Sequence, residues 1–68
     1  MSAWSRTADR RTWAAERDGA VLTVSRVVDG YWSAYAERDG VLLGRGDAPT
    51  RLRAQAVAER IAAGKGDR

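Results

Sequence analysis

Between residues 11 and 45 apolar and polar side chains alternate, the period-2 pattern of strands with one buried face. Beyond residue 49 the apolar positions recur at spacings of three and four, the period of a helix. Three Asp-Gly dipeptides punctuate the alternation: Asp18-Gly19, Asp29-Gly30 and Asp39-Gly40. The first and third belong to a repeated tetrapeptide, Glu16-Arg17-Asp18-Gly19 and Glu37-Arg38-Asp39-Gly40, which each time follows an alanine and opens an apolar run. A tight hairpin needs positive φ, which Gly adopts without strain, so Asp-Gly between strand-like residues marks a chain reversal. Three reversals predict four strands, at about residues 11–17, 20–27, 31–38 and 41–45. A helix follows, from about Pro49 or Thr50 to Ala63. Thr50 is the candidate N-cap, with Asp47 before Pro49 as the competing start, and Gly64 is the stop. The expected fold is α+β: a four-stranded antiparallel β-meander with one C-terminal helix packed on one face, in the order ββββα. Residues 11–64 form this single domain. Residues 1–10 show no period and read as a tail or a short extra element, docked in part through Trp4, and residues 65–68 read as a frayed end.

Register follows from asking which pairing gathers the apolar side chains on one face. A two-residue turn at Asp18-Gly19 sets Ala15 against Leu22 and Trp13 against Val24. A three-residue loop, Val28-Asp29-Gly30 with Gly30 as a bulge, sets Val24 against Ala34, Leu22 against Ala36 and Arg26 against Trp32. A two-residue turn at Asp39-Gly40 then sets Leu43 against Ala36. One face collects Trp13, Ala15, Leu22, Val24, Trp32, Ala34, Ala36, Val41 and Leu43. Ala54, Val57, Ala58, Ile61 and Ala62 form the matching stripe on the helix. Many of these contact positions are Ala, so the helix is expected to approach closely, with Trp13 and Trp32 flanking it. The other face of the sheet is mostly polar and remains open.

At 68 residues the chain has room for one domain, with a core worth about 3–5 kcal/mol. It contains neither Cys nor His, which removes disulfides, thiolate or imidazole metal sites and the commonest catalytic bases and nucleophiles. No metal, cofactor or enzymatic activity is expected. No apolar run approaches the ~20 residues of a membrane span, and the N-terminus has no signal-peptide pattern, so the expectation is a soluble cytoplasmic protein without membrane contact. The net charge of +3 is unevenly placed: the two ends are basic and the meander between them is slightly acidic. All but one of the cations are Arg, which grips phosphate and carboxylate in a bidentate way that Lys cannot.

Few side chains suggest chemistry. Glu16 and Glu37 sit beside Arg17 and Arg38 at hairpin ends, the pattern of solvated surface charge. Gly44 and Gly46 lack the lysine and spacing of a phosphate-binding loop and are expected to let the last strand turn into the helix. Arg45-Gly46-Asp47 spells an integrin-type adhesive tripeptide, a three-letter match that occurs often by chance. Tyr31 and Tyr35 lie two apart on the open face, where aromatic rings either stack on unpaired bases or simply cover the sheet, alone or against a second copy. Leu52 stands nearly opposite Ile61 on the helix, with Arg53 and Arg60 to one side. It either meets a partner or folds back on the Ala48-Pro49 loop.

The stretch from Trp32 to Ile61, with Gly44, Gly46, Thr50, Arg51, Ala54 and Ala58 at comparable places, resembles the second half of a double-stranded RNA-binding domain. The paired lysines of that family at the helix start are here Arg51 and Leu52, and its N-terminal helix has no counterpart in residues 1–10. Arm-binding domains of phage-type integrases are similar at the same level. Both resemblances imply duplex nucleic acid as a partner. The expectation is therefore a small non-enzymatic binding module that associates with nucleic acid through Arg10, Arg11, Arg51, Arg53 and Arg60. The alternative is a protein-binding inhibitor or adaptor, for example a phage-encoded one that blocks a host complex. It would use Tyr31, Tyr35 and Leu52 as anchors, and the open sheet as a surface for homodimers.

Overall fold

The computed structural model describes residues 4–7, 9, 11–28 and 30–64. It shows an antiparallel sheet in sequential order, β1 (Ser5–Arg6), β2 (Thr12–Arg17), β3 (Ala20–Val28), β4 (Tyr31–Arg38) and β5 (Val41–Ala48). One helix, α1 (Arg51–Gly64), packs across one face. The α+β meander with a terminal helix is thus as expected, but the sheet has five strands and not four. The additional strand pairs Ser5 with Ala14 and Arg6 with Trp13. The reversal that makes it uses a carboxylate instead of a glycine. Asp9 accepts hydrogen bonds from the Thr7 hydroxyl (2.8 Å), the Arg11 and Thr12 amides (3.0 Å each) and the Thr12 hydroxyl (2.9 Å). The Thr7 amide closes the turn on the Thr12 carbonyl at 2.8 Å. Residues 65–68, expected to fray, lie outside the described residues.

At two of the Asp-Gly reversals the left-handed conformation extends over both central residues: Asp18 has φ 52° and Gly19 81°, Asp39 has 54° and Gly40 78°. Positive φ at both positions matches the turn to the right-handed twist of the strands it joins. The β2–β3 register is the expected one, with Trp13 opposite Val24 and Ala15 opposite Leu22. So is the central β3–β4 register: Val24 opposite Ala34, Leu22 opposite Ala36, Arg26 opposite Trp32. The irregularity expected at Gly30 falls instead between Arg26 and Val28, because Val28 pairs with Tyr31 and leaves Val27 as the extra residue. A β-branched side chain beside an aromatic ring is a favourable cross-strand pair, which extends the ladder to the turn.

The β4–β5 register differs in an instructive way. The ladder slips between Ala36 and Glu37, so that Ala36 faces Gly44 and not Leu43, and the strand runs on to Ala48 opposite Trp32. Without this bulge Arg45 would share the helix-covered face with Leu43. The slip turns Arg45 and Asp47 to the open face and brings Gly44 and Gly46 under the helix, which avoids burying a guanidinium. The glycines therefore do not serve as the expected exit from strand to helix. They make room for it. A Cβ at Gly44 would stand 3.0 Å from the Cγ2 of Ile61, and one at Gly46 3.0 Å from the Cγ1 of Val57.

The core is correspondingly small-grained. Ala20, Leu22, Val24, Ala34, Ala36, Ala54 and Ala58 are fully buried, and Trp4, Trp13, Trp32, Leu43, Val57 and Ile61 pack around them. Val41, expected in the core, is 62% exposed beside the last turn. The helix starts where Thr50 caps it: its hydroxyl accepts from the Arg53 amide at 3.2 Å and its carbonyl from Ala54 at 2.9 Å. Trp4 ties the first strand to the helix through its indole N–H, which donates to Glu59 Oε2 at 2.9 Å.

Candidate nucleic-acid interface

The strand order and the helix direction gather arginines around one tryptophan. Trp13 sits next to Arg6 across the β1–β2 ladder, and α1 begins above it with Arg51. The Arg51 guanidinium carbon lies 4.2 Å from the centre of the Trp13 ring and that of Arg6 lies 5.8 Å away, both within cation–π range. Arg26, opposite Trp32 on the neighbouring ladder, completes the rim. Together Arg6, Trp13, Arg26, Trp32 and Arg51 line an open groove of about 380 Å³. This lining holds three guanidinium groups and no carboxylate.

Physical causes hold the groups there. Trp13 and Trp32 face the helix side but lie beyond the ends of the alanine stripe, so each is only half-buried and offers ring surface at the rim. A guanidinium loses little hydration when it stacks on such a ring, and the stacked Arg keeps its N–H fork for another ligand. The N-terminal end of α1, the positive end of its dipole, lies at the same place and has no acidic residue in its first turn. The nearest reversal carries Asp9. Its carboxylate is occupied by the Thr7, Arg11 and Thr12 donors, and these hold its pKa below the ordinary value.

The expected contact residues do not form one surface. Arg51 belongs to the groove. Arg53 and Arg60 lie on the opposite flank of α1, where they line a separate groove of about 290 Å³ with Asp47, Ala48, Pro49, Ala56 and Val57. Arg11 is exposed ahead of β2 and is used through its backbone, its carbonyl accepting from the Arg26 amide at 2.9 Å. Arg10 lies outside the described residues. Arg6 and Arg26 are additional members. Arg26 was legible, since the expected register already set it against Trp32. Arg6 was not, because nothing in the glycine pattern announces β1.

Of the expected protein anchors, Leu52 is 68% exposed on the first turn of α1 and does not fold back on the preceding loop. Tyr31 stands beside Asp47. As hydrogen-bond acceptor and as a charge, the carboxylate raises the phenol above its ordinary pKa. Tyr35 is half-buried opposite Arg45 and shares a shallow groove with Ser33 and Leu42. Among the described residues no three acidic side chains cluster as a metal site would need, and no helix is long and apolar enough to cross a membrane. No family model, curated protein or solved structure matches the chain.

Proposed function

We propose that the protein is a small non-enzymatic module that binds nucleic acid through its phosphate backbone, at the groove of Arg6, Arg26 and Arg51. The observation that carries this reading is the stacking of two guanidinium groups on Trp13 beside a third, with no carboxylate in the lining. Phosphate, with its fixed charge and several acceptor oxygens, is the ligand such a set of forks suits best. The Trp13 ring is already covered by arginine, so base stacking is not the principal contact and recognition is independent of sequence. The part of the chain that resembles a double-stranded RNA-binding domain spans β4, β5 and α1, and it supplies Trp32 and Arg51 to the groove.

The test is equilibrium binding to random duplex and single-stranded DNA and RNA at several salt concentrations. Neutralising about two phosphates, one for each arginine stacked on Trp13, predicts a slope of log K against log salt of about −1.8 on duplex DNA, and Arg51→Ala should reduce its magnitude by about 1. Arg53→Ala, on the other flank, should leave the slope nearly unchanged. Absence of binding at low salt, or an equal effect of the two variants, would remove the proposal.

A further inference from the structure

The second groove, lined by two arginines and by Asp47, whose side chain the β4–β5 register turns to the other face of the sheet, has a different character. It lies between the Arg53–Arg60 flank of α1 and β5, the last strand of the sheet, whose outer edge has no strand partner among the described residues. An uncovered edge offers a row of backbone donors and acceptors to another strand. On the helix side this edge is Gly44, Gly46 and Ala48, so side chains of an added strand would meet almost no side chain of β5. They would lie under the flank of α1, with Arg53 and Arg60 at the ends of the groove and Ala56 and Val57 between them.

We propose that β5 accepts an extended segment of a partner protein as a sixth strand, one that carries acidic, aliphatic and acidic side chains at alternate positions. Arg53 and Arg60 are seven residues apart, about 10.5 Å along the helix, and residues four apart in a strand are about 13.6 Å apart. The ~3 Å difference is within the reach of two flexible arginine side chains, so two carboxylates in a Glu-x-Val-x-Glu pattern meet both cations while the central side chain rests on Ala56 and Val57. A second copy of this chain is the poorer occupant. The bulge at Leu43 and the missing N–H of Pro49 limit usable pairing to Gly44–Ala48. Within that stretch a register that sets Arg45 or Asp47 against its own copy opposes like charges on the strands. The remaining one, centred on Gly46, sets Arg45 against Asp47 but places the two helices antiparallel and brings Arg53 towards the copy's Arg60, opposing like charges there.

Fluorescence anisotropy with a labelled Thr-Glu-Thr-Val-Thr-Glu-Thr peptide tests this. Binding is expected, with Lys in place of both Glu residues weakening it at least about tenfold. The protein variant R53E/R60E should reverse that preference and bind the Lys peptide, an outcome that a misfolded variant cannot produce. Two further peptides, N-methylated on alternate sets of amides, should differ sharply, because only one set faces β5 in an added strand. Equal binding of the Glu and Lys peptides, indifference to both methylation patterns, or a dimer in sedimentation that excludes the Glu peptide would each overturn the proposal. So would finding that the groove takes a single-stranded oligonucleotide and not the peptide. The Arg51→Ala variant should bind the peptide normally, which separates this result from that of the phosphate groove.

Discussion

The underside of α1 and its N-terminal rim meet the same sheet by opposite means. Underneath, contact depends on missing side chains: Ala54, Ala58 and Ala62 lie over alanines, and Gly44 and Gly46 leave space that Ile61 and Val57 fill. At the rim, contact depends on the largest side chains available, Trp13 and Trp32, with arginines stacked outside them. Close approach at the centre fixes the distance between helix and sheet, and that distance leaves the tryptophans half in and half out. The comparison teaches that fold and surface chemistry are set by separate residues, so they should fail separately.

The strongest way to break the centre is Leu22→Ala. Leu22 and Val24 are the largest fully buried side chains. Truncation of a buried Leu costs about 2–5 kcal/mol, and a domain of this size holds about 3–5 kcal/mol in total. The variant should be largely unfolded at 25 °C by circular dichroism. A folded protein with an unchanged urea midpoint would refute the description of the core.

Gly46→Ala probes the same region more finely. Its Cβ would meet the Cγ1 of Val57 at 3.0 Å, and overpacking of this kind costs about 1–3 kcal/mol. In a Val57→Ala background the obstructing methyl is gone, so the added penalty should shrink and the double-mutant cycle should show a coupling of about 0.5–3 kcal/mol. Additive effects in urea titrations would mean that the glycine is not there for helix approach.

These two positions also mark what could be read from the residues alone. Leu22 was legible because hairpin turns, alternation and pairing all place it on one face. The role of Gly46 was not, because it depends on a bulge at Leu43 that no local pattern announces. The bulge is decided by tertiary cost, the alternative being Arg45 beneath a helix. The same division runs through the candidate interface. Arg26 and Trp32 follow from the register and Arg51 from the helix start, whereas Arg6 needs a strand of two residues held by a carboxylate turn. Local signals specify the elements; small irregularities between them specify which side chains meet.

At the rim, Trp13→Leu should sharpen the contrast. It keeps an apolar side chain against the core but removes the ring on which Arg6 and Arg51 stack, a contact worth about 0.5–2 kcal/mol. Stability should fall by that contact plus the apolar surface the smaller side chain no longer covers, about 1–3 kcal/mol in all, while affinity for nucleic acid, under the proposed function, falls towards that of Arg51→Ala, since the guanidinium groups lose their common seat. A variant that loses its fold would show that Trp13 belongs to the centre after all. One that binds as before would show that the ring does not organise the arginines.

The smallest effect concerns the strand that completes the sheet beside Trp13. The Asp9 carboxylate is held below its ordinary pKa chiefly by the Thr7 hydroxyl, then by the Arg11 amide and the Thr12 donors. A carboxyl whose folded pKa is depressed adds stability above its unfolded pKa of about 3.9, and that contribution is lost as pH falls through the lower folded value. Acidification below about pH 4 should therefore loosen the β1–β2 turn before it loosens the buried ladder of β3 and β4. Amide exchange followed by NMR at Ser5 and Thr7, whose N–H groups face β2, from pH 5 to pH 2 would show this as a selective loss of protection. Asp9→Asn keeps one oxygen for the Arg11 and Thr12 amides but has no charge to lose, so the acid-dependent part should vanish in that variant while Leu22 and Val24 stay protected in both. Identical pH profiles for the two proteins would mean that β1, and with it the placement of Arg6 at the rim, is held by the Trp4–Glu59 contact and not by the turn.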